Sequence, residues 1–93
     1  MLTPWGYSDY EENLAEGIDV YGTSGHGGYK LSKDRNNKIP ENWRLKGLYN
    51  GWYEEDCGWA PICLTFPLYF SQDRIKRASL VIKDWEEWVK ENV

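Results

Sequence analysis

The chain has 93 residues, of which 16% are aromatic, and a formal net charge of −4. This length predicts a single domain spanning residues 1–93, in which the aromatic rings supply the apolar area that so small a core needs. Apart from a basic cluster at 30–46 the chain is acidic or balanced, which argues against direct nucleic-acid binding. No apolar run suggests a signal peptide or a membrane span, so we expect a cytoplasmic protein that does not bind membranes.

The first forty residues predict a short helix followed by a hairpin. Ser8 or Asp9 can cap a short helix through Glu16, which Gly17 would end. Apolar residues that alternate with polar ones from Ile18 predict a strand, and a second such run ending at Leu31 predicts its returning partner. Residues 34–38 have the composition of a turn.

The second half of the chain predicts a helical turn, an extended segment and a long helix. The helical turn begins near Pro40, and residues 50–70 are predicted to be extended after a tight reversal at Asn50–Gly51. Pro61 donates no backbone hydrogen bond, which predicts a bulge or an edge strand around 57–61. Ser71 can cap an amphipathic helix that runs to the end of the sequence. The expected fold is α+β, with a small antiparallel β-sheet packed against this long C-terminal α-helix.

Two cysteines, Cys57 and Cys63, are predicted to be free thiols. Along an extended segment they lie too far apart to bond with each other, and they lack the paired spacing of a zinc site. We therefore predict no disulfide and assign no metal site or cofactor from the sequence.

The only histidine, His26, lies in a loop that is rich in glycine, at residues 22–28. Its imidazole could act as a general base or a metal ligand if the fold brings it to the carboxylates of Glu54, Glu55 or Asp56. It could equally hold the loop by bonding to a backbone carbonyl. The loop itself fits either an anion-binding nest or a plain turn, and spacing alone assigns no catalytic residue.

Four blocks of residues resemble an uncharacterised family of small proteins that phages, prophages and plasmids encode. The blocks are Pro4-Trp5-Gly6, Thr23-x-x-His26-Gly27-Gly28-x-x-Leu31-Ser32, Trp52-Tyr53-Glu54-Glu55-Asp56-x-x-Trp59 and Phe66-Pro67. The resemblance covers nearly the whole chain. It implies a genetic setting in mobile elements and no assigned reaction.

That setting favours an accessory protein that binds a host or phage protein complex, including inhibitors of CRISPR or restriction systems. Exposed aromatic rings edged with carboxylates would act as anchors on a basic partner surface. The predicted binding residues are His26, Trp52, Tyr53, Glu54, Glu55, Asp56 and Trp59. The alternative is a small hydrolase-like or metal-assisted enzyme that uses His26 with the acids at 54–56, and the oligomeric state stays open.

Overall fold

A four-stranded antiparallel sheet and a long C-terminal helix organise the residues that the computed structural model describes, 1–56 and 58–92. The strands are β1 (Leu2–Thr3), β2 (Gly6–Tyr7), β3 (Tyr10–Ala15), β4 (Ile18–Gly22), β5 (Gly27–Leu31) and β6 (Trp52–Glu54). The helices are α1 (Lys33–Lys38), α2 (Glu41–Arg44), α3 (Trp59–Thr65) and α4 (Gln72–Asn92), and a 3-10 turn at Pro67–Tyr69 precedes α4. The α+β prediction is confirmed.

The main sheet has the order β3-β4-β5-β6, so that each strand pairs with its neighbour along the chain. The register aligns Val20 with Tyr29 and Tyr29 with Tyr53. Tyr53 belongs to the buried core cluster that includes Ile62 of α3, so this row of side chains faces the helices. Side chains alternate along a strand, and the neighbouring row, which contains Glu54, therefore lies on the opposite side, which we call the outer face.

The N-terminal hairpin of β1 and β2 covers part of the outer face. Between these strands Trp5 packs edge-on against Trp52, with ring centroids 5.7 Å apart and planes at 89°. Tyr21 packs on the same Trp52 ring at 5.4 Å. Such offset aromatic contacts bury large apolar areas, which gives this side of the sheet a small apolar cluster of its own.

Helix α3 forms the middle layer between the sheet and α4. Its Ile62 packs in the cluster that contains Leu31 and Tyr53, whereas Cys63 packs with Ala78 and Ile82 of α4 and others. Burial raises the pKa of the Cys63 thiol above its ordinary value. The thiol is free, as predicted, while Cys57 lies outside the described residues.

Three predicted elements were wrong in type. Residues 10–15 form β3 instead of a helix, because Gly17 at φ +81° reverses the chain and lets this segment pair with β4. Residues 33–38 form α1 instead of a turn, since the Ser32 hydroxyl caps the helix by accepting from the Arg35 N–H at 3.2 Å.

The third error lies in the segment that was predicted to be extended, with a bulge near 57–61. Residues 52–54 do form a strand, but 59–65 form α3. Pro61 lies in the first turn of that helix, where backbone N–H groups have no intrahelical acceptor, so the N–H that proline lacks costs no hydrogen bond. A short apolar run has the same pattern in a buried helix and a buried strand, so periodicity could not separate them.

Other predicted elements are confirmed. Strands β4 and β5 form the expected hairpin, and α2 follows Pro40. Asn50 and Gly51 have positive φ, as a tight reversal requires. Helix α4 begins after Ser71, whose hydroxyl accepts from the Arg74 N–H at 3.2 Å.

Candidate functional site

Three ligand-bearing side chains meet where β5 and β6 come together at one end of the sheet. One ring nitrogen of His26, one carboxylate oxygen of Glu54 and one of Asp56 all lie within 4.8 Å of one another. Glu54 is half-buried, whereas His26 and Asp56 are exposed. We call these three residues the His-Glu-Asp cluster.

The register between β5 and β6 explains why these residues converge. Gly28 pairs with Glu54, and the Glu55 N–H donates to the Gly27 carbonyl at 2.9 Å, which extends the pairing beyond the end of β6. His26 lies two residues before Gly28 and Asp56 two residues after Glu54, so both lie just beyond the last pair of the ladder, at the same end of the sheet. Glu54 lies on the outer face, and the turn in which the Gly58 N–H donates to the Glu54 carbonyl at 2.8 Å brings Asp56 close to Glu54 and His26.

The turn that carries His26 is held by its own backbone and by Thr23. The Thr23 N–H donates to the His26 carbonyl at 2.7 Å, and the Thr23 hydroxyl donates to the same oxygen at 2.8 Å. The His26 N–H in turn donates to the Thr23 hydroxyl at 3.1 Å. Sequence reasoning gave Thr23 no role in the loop, although the spacing of three residues is typical of a side chain that closes a turn.

The cluster has the donor set of a divalent-cation site. Metal–ligand bonds of about 2.0–2.2 Å hold ligand atoms about 3–4 Å apart, so small side-chain rotations would bring these three atoms around one ion. One imidazole and two carboxylates suit zinc and manganese, and the two negative charges balance a divalent ion. The exposure of two ligands would leave coordination positions open to water or a substrate.

Glu55 does not join the cluster. It follows Glu54 and so points to the opposite side of the ladder, where its carboxylate lies close to Gly27. Burial is the main cause of the raised pKa of Tyr29, and the negative charge of Glu55 adds a smaller rise. Of the three candidate acids, two therefore face His26 and the third does not.

The aromatic members of the predicted binding set lie in the interior. Trp52, Tyr53 and Trp59 are only 6%, 2% and 9% exposed. The Arg74 guanidinium stacks over the Trp59 ring at 4.5 Å and covers one side of it. The expectation that these rings are exposed was wrong, because the N-terminal hairpin and α4 take up the aromatic surface. A binding role for His26 and the acids stays a prediction.

A second concave surface lies between α2 and the C-terminal half of α4. This groove has a volume of about 660 Å³. Its apolar lining residues are Trp43, Leu45, Leu64, Ile82, Trp85 and Val89. Helix α4 is about 30 Å long and α3 about 10 Å, so α3 cannot cover its whole inner side. The sequence predicted that this helix packs against the sheet and did not indicate the groove.

Fold and cluster together define a small α+β domain with a set of potential metal ligands at one end of its sheet. The family model described as Domain of unknown function (DUF7007) matches residues 1–92, and the chain belongs to this family. No curated protein and no solved structure showed significant similarity to the chain. Among helices in the described part of the chain, none is both long and apolar enough to cross a membrane.

Proposed function

We propose that this domain binds a divalent metal ion through His26, Glu54 and Asp56 and uses the open coordination positions for metal-assisted hydrolysis. The observation that carries the proposal is the convergence of one imidazole and two carboxylates within 4.8 Å. Catalytic metal sites combine three protein ligands with a bound water, whereas structural sites are closed by protein ligands. A cation here would activate such a water as a nucleophile.

Electrostatics also favours an ion at this position. Glu54 and Asp56 place two carboxylates side by side, and like charges at this separation repel each other. The imidazole of His26 reaches the same point from a different turn of the chain. A divalent ion would offset the repulsion and link the β4–β5 turn to the end of β6.

Metal titration is expected to stabilise the wild-type protein. Mn²⁺ or Zn²⁺ at about 100 times its dissociation constant should raise the free energy of unfolding by about 2.7 kcal/mol. His26→Ala, Glu54→Gln and Asp56→Asn should each remove most of this gain, because each deletes a ligand. Calorimetric titration and thermal unfolding with and without the ion measure both effects.

Glu55→Gln is the matched control for this experiment. It removes the same charge one residue away, from a side chain that points to the other side of the ladder. We expect it to keep the affinity for the ion. Equal losses in Glu55→Gln and Asp56→Asn would indicate general attraction to an acidic surface, and no binding at about 1 mM ion would contradict the proposal.

A second candidate function is favoured by the apolar groove. Leu45, which lines the groove, is 72% exposed. An accessible apolar surface of this kind is typical of protein-binding sites, and a groove along a helix fits an amphipathic helix of a partner. The proposed partner is a host or phage protein complex in the cytoplasm. This protein would then be an accessory protein that a mobile element encodes and that acts against a defence system such as CRISPR or restriction.

Partner capture through the groove is expected to depend on Leu45. Leu45→Asp places a charge in the apolar lining and should reduce capture of the partner from host extract at least tenfold. Leu68→Asp is the control, because Leu68 is 90% exposed and lies outside the groove. Asp56→Asn should leave capture unchanged while it weakens metal binding. Equal recovery with Leu45→Asp and wild-type protein, by quantitative mass spectrometry, would count against the groove.

A further inference from the structure

The outward side of α4 carries an apolar and charged stripe that the fold does not cover. Five residues at spacings of three or four lie along one side of the helix. These residues are Arg77, Leu80, Asp84, Trp88 and Glu91, and we call them the α4 stripe. All five are exposed, and Leu80 and Trp88 remain 58% and 59% accessible, whereas Ala78 and Ile82 on the opposite side are buried. None of the five lines the groove.

Charge is distributed unevenly along α4. Residues 72–82 contain three basic and one acidic residue, a net charge of +2, while residues 83–92 contain two basic and four acidic residues, a net charge of −2. The helix dipole has the same direction, positive at the N-terminus and negative at the C-terminus. An antiparallel copy of this helix is therefore electrostatically complementary to it, and a parallel copy is not.

We propose that the α4 stripe binds the α4 stripe of a second copy of this chain, in an antiparallel arrangement about a two-fold axis. In such a contact, each residue faces a partner that faces it in return. With the axis at residue 84, Leu80 faces Trp88 of the second copy and Arg77 faces Glu91 of the second copy. Both the apolar and the charged positions are then matched by one register.

Asp84 is the position where this register is least favourable. Each Asp84 faces its own counterpart across the axis, and because both carboxylates are exposed, solvent and salt screen their repulsion. Arg77 already forms an exposed ion pair with Asp73 at 3.2 Å. Exposed ion pairs contribute little to stability in water, so Arg77 can leave Asp73 and pair with Glu91 of the second copy at little cost.

The stripe spans about 21 Å along the helix, so the expected dimer is weak and reversible. The proposal is independent of the metal centre.

Two charge variants test this arrangement. Arg77→Glu replaces the attraction between positions 77 and 91 with repulsion between two carboxylates. The double variant Asp84→Lys with Glu91→Lys places like positive charges at the axis and opposite Arg77. Each variant alone should sediment as a monomer at concentrations where the wild type dimerises. Mixed together, they place opposite charges at every charged position, and the heterodimer should form at least about tenfold more tightly than either homodimer.

Analytical ultracentrifugation of the separate and mixed proteins measures these equilibria, and circular dichroism checks that the exposed substitutions leave the helix folded. Trp88→Ala should also weaken the wild-type dimer about tenfold. A wild type that stays monomeric to about 1 mM overturns the proposal, even if the stripe captures a different protein. A dimer that both charge variants leave intact overturns it too, since the contact then lies elsewhere.

Discussion

Replacing Gly28 with alanine is expected to destabilise the fold by about 3 kcal/mol or more. An added methyl group would overlap the carbonyl oxygen of Tyr53 and the indole of Trp5. Gly28 pairs with Glu54 in the ladder between β5 and β6, so it cannot move away without breaking that pairing. Urea unfolding followed by tryptophan fluorescence measures the change in the free energy of unfolding.

Gly25→Ala is the matched control for this prediction. It makes the same chemical change three residues earlier, at a position where an added methyl meets no atom within 4 Å. We expect its stability to stay within about 0.5 kcal/mol of the wild type. Similar stabilities for the two variants would mean that neither the Tyr53 carbonyl nor the Trp5 ring packs closely on Gly28. The Gly28 variant should also weaken metal binding, because the same register places His26 and Asp56 at the same end of the sheet.

The β4–β5 hairpin and helix α4 could be predicted because their signals are local. Alternating side chains around Ile18 and a capping serine before an amphipathic run depend only on neighbouring residues. Helix α3 could not be predicted, because its residues 59–63 are all buried in succession and the pattern has no period. Segment 10–15 has weak local preferences and becomes a strand only because β4 is available to pair with it.

The candidate site could be predicted in composition but not in geometry. The sequence indicated that His26 would need to meet Glu54, Glu55 or Asp56, which are almost thirty residues away. Which of these acids face His26 depends on the register between β5 and β6, and a shift of one residue would replace Glu54 and Asp56 with Glu55. The burial of Trp52 could not be predicted either, because its ring is covered by Trp5, which belongs to a separate hairpin.

Alkaline pH is expected to weaken the fold through Tyr53. Burial raises the pKa of Tyr53 to about 12, against an ordinary value near 10, and the positive charge of Arg44 offsets part of this rise. The folded state therefore favours the neutral phenol, whose hydroxyl donates to the Asn36 side chain at 2.5 Å. This stabilisation is fully present below pH 10 and is lost as the pH rises from 10 to 12, by about 2 kcal/mol.

Tyr53→Phe separates this ionisation from other effects of high pH. Without a phenol at residue 53, the variant should be less stable at pH 8 by about 1 kcal/mol because the hydrogen bond to Asn36 is lost. This deficit relative to the wild type should vanish near pH 11 and reverse above it, because only the wild type loses stability as the pH approaches the raised pKa of Tyr53. Tyr49→Phe, at an exposed tyrosine, should follow the wild type throughout. Urea unfolding at pH 8, 10 and 11.5 measures the three curves, and a constant gap between wild type and Tyr53→Phe would show that Tyr53 does not carry the alkaline transition.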